Sequence, residues 1–169
     1  MYRVNSSNQG KLKQYREFLG EIEVSEKDLK EPLSDPLTII QYKASQFQNT
    51  LVDDTSLEIE GESIGINIRW FLEKLPTLLG KKAHFRCLIG IHRNEAVEIF
   101  QGECHGHIAP AEGNSFGFNN YFVPLGEKQS FGVKIAPELN PRIIALKKFK
   151  EGSSYKVLAP LFEWTGAFQ

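Results

Sequence analysis

The 169-residue chain reads as one α/β domain: a mixed sheet flanked by helices, with a second, smaller lobe and a cleft between the two. Three observations predict this. Strand-like and helix-like patterns alternate as β-α-β-α-β from Tyr2 to Glu60. From His84 onward the texture changes to that of a hairpin-rich meander. Between the two, an apolar pair, Leu51-Val52, runs into adjacent carboxylates, Asp53-Asp54. In open α/β sheets ligands bind outside the carboxyl ends of strands, so this acidic strand end is a candidate divalent-metal and phosphate site.

Each element has a local reason. Tyr2 to Asn5 is a short strand that enters the polar turn Ser6-Ser7-Asn8-Gln9-Gly10-Lys11. Leu12, Tyr15 and Leu19 recur at helical spacing, and Gly20 is a stop. Glu21 to Ser25 places Ile22 and Val24 on one face of a second strand. After a polar loop, Asp35-Pro36 is an N-cap followed by proline at the first helical position. Leu37, Ile40, Ala44 and Phe47 then form one apolar stripe. Leu57-Glu58-Ile59-Glu60 alternates, continuing the chain in extended form. Gly65 opens a third helix carrying Ile68, Phe71, Leu72 and Leu75. His84 to Ile91 and Ala96 to Phe100 are strands, and Gly106 to Ala109 is expected to be the third strand of the meander. A segment rich in Gly, Asn and Phe follows, from Gly113 to Gly126. Asn140-Pro141 repeats the N-cap signature and starts a last helix through about Phe149.

Composition narrows the function. Hydrophobic content of 41% and charged content of 24% are ordinary for a globular protein. A net charge of −1 argues against a nucleic-acid or membrane-surface role, and no apolar run approaches a membrane span. Two cysteines, Cys87 and Cys104, make no disulfide framework, so a cytoplasmic protein with reduced thiols is expected.

Four constellations could carry chemistry. The Ser6–Lys11 turn joins a strand to a helix N-terminus, where backbone amides and Lys11 suit a phosphate; a capped helix with a solvated lysine is the plainer reading. Asp53-Asp54 with Glu31 offers the oxygen ligands magnesium prefers, and a carboxylate that can activate water; a solvated acidic turn is the alternative. Phe116-Gly117-Phe118-Asn119 can stack on a purine and read its edge, or be a strand end with core phenylalanines. Cys104-His105-Gly106-His107 suggests metal, but no second Cys/His cluster offers further ligands, so residues without metal are expected.

In order along the chain, these segments resemble the inosine triphosphate pyrophosphatase family, which hydrolyses deaminated purine nucleoside triphosphates. Ser6-Ser7-Asn8-Gln9-Gly10-Lys11 is similar to its opening motif, and Asp53-Asp54-Thr55-Ser56-Leu57 to its acidic strand end. Asp28-Leu29-Lys30-Glu31 resembles the loop supplying a further metal-binding acid. Gln41-Tyr42-Lys43-Ala44 resembles the segment with a phosphate-binding lysine, and Phe116 to Asn119 the base-stacking loop. The resemblance runs over residues 2–149 of a single two-lobed domain, 1–169, leaving 150–169 unplaced.

The resemblance implies a strongly twisted mixed sheet, a homodimer, and Mg²⁺-dependent cleavage of a nucleoside triphosphate to the monophosphate and pyrophosphate. It implies Asp54 or Asp53 as the catalytic acid, and Glu31 and Asp54 as metal ligands. Ser6, Asn8, Lys11, Lys43, Thr55, Phe116, Phe118, Asn119 and Arg142 would bind substrate. The chain departs from the family in two places. Asn119 stands where the family has an aspartate, and Asn140-Pro141-Arg142 where it has Ser-His-Arg. Both changes fall on base recognition. The resemblance implies ITP, dITP or XTP as substrate, with altered base preference and a nucleotide-binding protein without catalysis as the alternatives.

Overall fold

The computed structural model describes residues 1–62 and 72–169. Its strands are β1 (Tyr2–Asn5), β2 (Ile22–Ser25), β3 (Thr50–Ile59), β4 (Lys82–Arg93), β5 (Ala96–Ile108), β6 (Phe122–Pro124) and β7 (Lys156–Leu158). Three α-helices carry full described boundaries: α1 (Gln9–Leu19), α2 (Pro36–Ser45) and α3 (Pro141–Glu151). All three start where the capping signals place them. Asn8, Asp35 and Asn140 each accept a backbone N–H in the first turn, and prolines occupy the first position of α2 and α3. The third helix expected from Gly65 lies mostly outside the described residues.

The strands form one mixed seven-stranded sheet in the order β2-β1-β3-β4-β5-β6, with β7 also on β5. β1 pairs in parallel with β2 and β3, and every other pairing is antiparallel. Here the structure corrects one expectation. Asp53 and Asp54 do not end a strand; β3 continues through them to Ile59 against β4. What ends is the neighbour: β1 pairs with β3 only at Arg3↔Thr50 and Val4↔Leu51. Beyond Leu51 the β1 side of β3 is open, which places the acids at a mouth on one side and inside a ladder on the other.

The meander is corrected too. Gly106 to Ile108 is not a separate strand but the end of β5, and the third strand is β6, paired at Gly106↔Pro124. Gly102 and Gly106, within β5, are points of close approach. A Cβ at Gly102 would lie 1.8 Å from the Pro141 carbonyl oxygen, and one at Gly106 would lie 2.2 Å from that of Val123. Gly102 thus sets how closely α3 sits on β5. The hairpin joining β4 to β5 turns at Asn94 and Glu95, both with positive φ, as a tight two-residue turn requires.

Three cores follow from strand alternation. Leu51, Ile89 and Phe100 pack against Leu12 and Tyr15 of α1 and Ala145, Leu146 and Phe149 of α3. On the other face Val52, Leu88 and Ile99 meet Ile40 and Ala44 of α2. The far halves of β3 to β5 build a second lobe around Phe85, whose ring contacts Phe118, Phe122 and Phe131 edge-on. No described helix is long and apolar enough to cross a membrane.

Gly102→Ala is expected to destabilise the fold by about 2–4 kcal/mol, because backbone rather than a flexible side chain must move. Urea unfolding checks this; a loss below about 0.5 kcal/mol contradicts the close-approach role.

Candidate active site

Adjacent residues on a strand face opposite ways, and this separates the two acids. Asp53 shares its face with Leu51 and turns toward α1 and α3. There its carboxylate accepts from Lys11 Nζ at 2.9 Å, from the Tyr15 hydroxyl at 3.0 Å and from Arg142 Nε at 2.7 Å. Asp53 is 5% exposed and Arg142 2%. Burial alone would raise the Asp53 pKa, but Lys11 and Arg142 outweigh it and hold the carboxyl well below the usual range. Arg142 also donates to Gln14 Oε1 at 2.6 Å, so its guanidinium is engaged on two sides while it lines the cleft wall.

Asp54 faces α2 with Val52 and Leu88, and lines the cleft. Across from it Lys43 of α2 donates to Glu31 Oε1 at 3.2 Å and to the Asp53 carbonyl oxygen at 2.7 Å. Desolvation pushes the Asp54 carboxyl up to about 7; the negative charge of Glu31 adds to this, and Lys43 opposes it. Lys43 stays charged because Asp54 and Glu31 outweigh the effect of its burial. Two carboxylates facing one opening, one of them resisting ionisation, form a hard-oxygen donor set that suits a divalent cation such as Mg²⁺.

The cleft encloses about 560 Å³ and is lined by both lobes. Asn8, Lys11, Glu31, Lys43, Asp54 and Thr55 line it on the helical side, and Phe116, Phe118, Asn119 and Arg142 also reach it. Ser6 does not line it; its hydroxyl accepts from Asn8 N–H at 3.1 Å, while Asn8 Oδ1 caps α1 through the Lys11 N–H at 3.1 Å. The opening turn therefore shapes the helix N-terminus that faces the cleft. Phe116 crosses between lobes: a Cβ at Gly10 would fall 2.2 Å from its ring, so glycine there is what admits the aromatic. Phe118 is buried edge-on against Phe85, their ring centroids 4.6 Å apart. Asn119 is buried and donates to Ser115 Oγ at 3.0 Å.

Some participants had no signal in the sequence. Tyr15 sits on the apolar helix face and Gln14 off it, and only the fold brings them to Asp53 and Arg142. Gln169 reaches the cleft from a tail that had no assigned place. Strand register also puts His84 opposite His105 and beside Glu103, with ligand atoms within 4.8 Å of one another. That cluster is satisfied internally: His84 meets Glu103 at 2.7 Å and Glu58 at 3.5 Å, and Glu58 pairs with Arg86 at 2.7 Å. Burial pushes the Cys87 thiol up to about 12, which makes it a core residue rather than a nucleophile.

The Ham1 family model matches residues 3–152. The chain belongs to the Ham1 family. An inosine triphosphate pyrophosphatase from Yarrowia lipolytica is 31% identical over 172 residues, covering 86% of this chain and 91% of that protein. A dITP/XTP pyrophosphatase from Hyperthermus butylicus is 32% identical over 77 residues, 44% of this chain and 40% of that protein. The solved Ham1 protein of Staphylococcus aureus superposes with a TM-score of 0.66 at 22% identity, covering 90% of this chain and 99% of that one. Its likeness supports the mixed α/β fold.

The two acids of this Ham1 chain have opposite linkage to pH. Asp53, depressed in the fold, stabilises above the ordinary carboxylate pKa, and that stability is lost as pH falls below about 4. Asp53→Asn strands Arg142 and is expected to cost about 3–5 kcal/mol at pH 7. Asp54, raised in the fold, favours the folded state at low pH and loses that contribution as pH rises through about 7. Metal-free Asp54→Asn is therefore expected to be more stable than wild type at pH 8, by on the order of 1–2 kcal/mol, and equal to it near pH 4. Thermal unfolding across pH reads both; an Asp54→Asn protein less stable at pH 8 would sink the assignment.

Proposed function

We propose that this protein hydrolyses nucleoside triphosphates to the monophosphate and pyrophosphate with Mg²⁺, acting on non-standard purine nucleotides such as ITP, dITP or XTP. One observation carries the reading. Asp54 faces a two-lobed cleft beside Lys43, Glu31 and Lys11. The names of the Yarrowia and Hyperthermus relatives supply the substrate class.

The residues divide the work physically. Lys11 and Lys43 neutralise and orient the triphosphate, helped by the N-terminus of α1 at Asn8. Thr55 lies beside them on the cleft floor. Glu31 and Asp54 would hold the cation, whose charge would offset what builds on the leaving pyrophosphate. Asp54, facing the cleft beside Lys43 and Glu31, is placed to orient the attacking water and accept its proton as the α–β anhydride opens. Asp53 cannot share that task, because three donors hold its carboxylate ionised and occupied. It keeps Lys11 and Arg142 in place instead. On the opposite wall the half-buried Phe116 offers a face to the base. Asn119 presents a neutral amide, both donor and acceptor, where an aspartate would only accept.

Pyrophosphate release from a panel of purine and pyrimidine triphosphates tests the proposal. Release from ITP or XTP is expected with Mg²⁺ and not after chelation. Asp54→Asn is expected to lower kcat/KM by about 10²- to 10⁴-fold. Phe116→Ala is expected to raise KM more than it lowers kcat. No release from any nucleotide overturns the enzymatic reading, and nucleotide binding without turnover would favour the non-catalytic alternative.

A further inference from the structure

The Ham1 match ends at residue 152, yet the chain continues across the helical lobe as an ordered strap. Gly152 closes α3 in the left-handed conformation, and β7 joins β5 at Val97 to Ile99. The strap then crosses α2. Gln41 Nε2 donates to the Ala159 carbonyl at 2.7 Å, the Leu161 N–H to Ser45 Oγ at 2.7 Å, and Gln46 Nε2 to the Phe162 carbonyl at 3.1 Å. A turn follows in which the Trp164 indole N–H donates to the Ala167 carbonyl at 2.9 Å.

Its last residues dock on the loop that carries Glu31. The Leu33 N–H donates to the Ala167 carbonyl at 2.8 Å, and the Gln169 N–H donates to the Glu31 carbonyl at 2.9 Å. Pro32 and Phe168 form a β-bridge, and Gln169 Nε2 donates to the Pro32 carbonyl at 3.1 Å. The Phe168 ring meets Tyr42 edge-on, one residue from Lys43. Residues 26–31 have no helix or strand of their own. Among the described residues, the backbone of Glu31 to Leu33 takes its hydrogen bonds from this strap alone.

We propose that residues 159–169 brace the Glu31 loop, and that Phe168 and Gln169 are positioning residues holding Glu31 beside Lys43 and toward Asp54. The inference rests on the proposed reading of Glu31 as a cation ligand. A loop without secondary structure samples many backbone states, and fixing one ligand of a two-carboxylate site removes that entropy before the cation arrives. Gln169 adds a second feature. Its Oε1 is buried, has no hydrogen-bond partner among the described residues, and belongs to a residue lining the cleft. Its carboxamide is thus an acceptor suited to a donor that enters with the nucleotide.

The test measures Mn²⁺ binding by electron paramagnetic resonance with a non-hydrolysable α,β-methylene ITP, and amide hydrogen exchange at Leu33. Wild type is compared with Gln169→Ala, Phe168→Ala and Phe168→Tyr, each in the full chain. Gln169→Ala and Phe168→Ala are expected to speed Leu33 exchange and to weaken Mn²⁺ binding about tenfold. For Phe168→Ala the kcat at saturating Mg²⁺ should stay within about threefold of wild type, and Phe168→Tyr should restore affinity. Faster exchange with unchanged Mn²⁺ affinity overturns the inference, as does unchanged exchange in both alanine variants. Failure of the unaltered protein to hydrolyse any nucleotide would overturn the proposed function instead, while exchange and Mn²⁺ affinity still read the strap.

Discussion

The buried pair of Asp53 and Arg142 is the constraint around which the helical lobe is arranged. Neither charge tolerates burial alone, since an uncompensated ion in that setting costs several kcal/mol. Each therefore dictates where the other's element lies. α3 must present Arg142 at 2.7 Å from a strand carboxylate, and α1 must present Lys11 and Tyr15 to the same group. Gly102 makes the first placement sterically possible by giving way to the backbone at Pro141. One carboxylate thus fixes two helices against one strand, and the lysine that faces the cleft comes with them.

That arrangement explains how neighbouring acids acquire opposite properties. The pleat turns Asp53 into a cationic pocket and Asp54 toward Lys43 and Glu31. Three donors saturate Asp53, whereas Asp54 is left with burial and a second carboxylate. The contrast is the familiar separation of acid and base roles by environment rather than by residue type. It requires the strand to continue through both positions. A loop would let either side chain swing to the cation array, and the two would titrate as an interchangeable pair.

Local signals were legible wherever the chemistry is local. Asn8, Asp35 and Asn140 cap helices where the sequence places helix starts, because a cap needs only its own turn. The acidic pair stands out in the sequence because two adjacent carboxylates after Leu51-Val52 need a cation to meet. Its setting does not: whether Asp54 ends a strand depends on how far β1 runs alongside β3, which no residue within β3 states. The full extent of β5 was hidden for the same reason, since what Gly102 and Gly106 admit belongs to α3 and β6, far along the chain. Tyr15 was hidden because helix periodicity accounts for it fully as core, and Gln14 because it lies off that apolar stripe and reads as an ordinary polar helix residue.

The tail is the sharpest case of this limit, and it bears on how the cleft is built. Ala159 to Phe162 carry no motif, and their contacts are backbone carbonyls and amides meeting Gln41, Ser45 and Gln46. Backbone hydrogen bonds are nearly blind to side-chain identity, so such a strap leaves little trace in composition. Its effect falls on the Glu31 loop, which lacks the ladder or helix that would otherwise hold it. Asp54 and Lys43 are fixed by regular structure, β3 and α2; Glu31 is fixed by a segment beyond the matched family region. The rigidity of the proposed cation site is therefore unequal among its members. On the proposed reading, the most adjustable ligand is braced by residues far along the chain from Asp54.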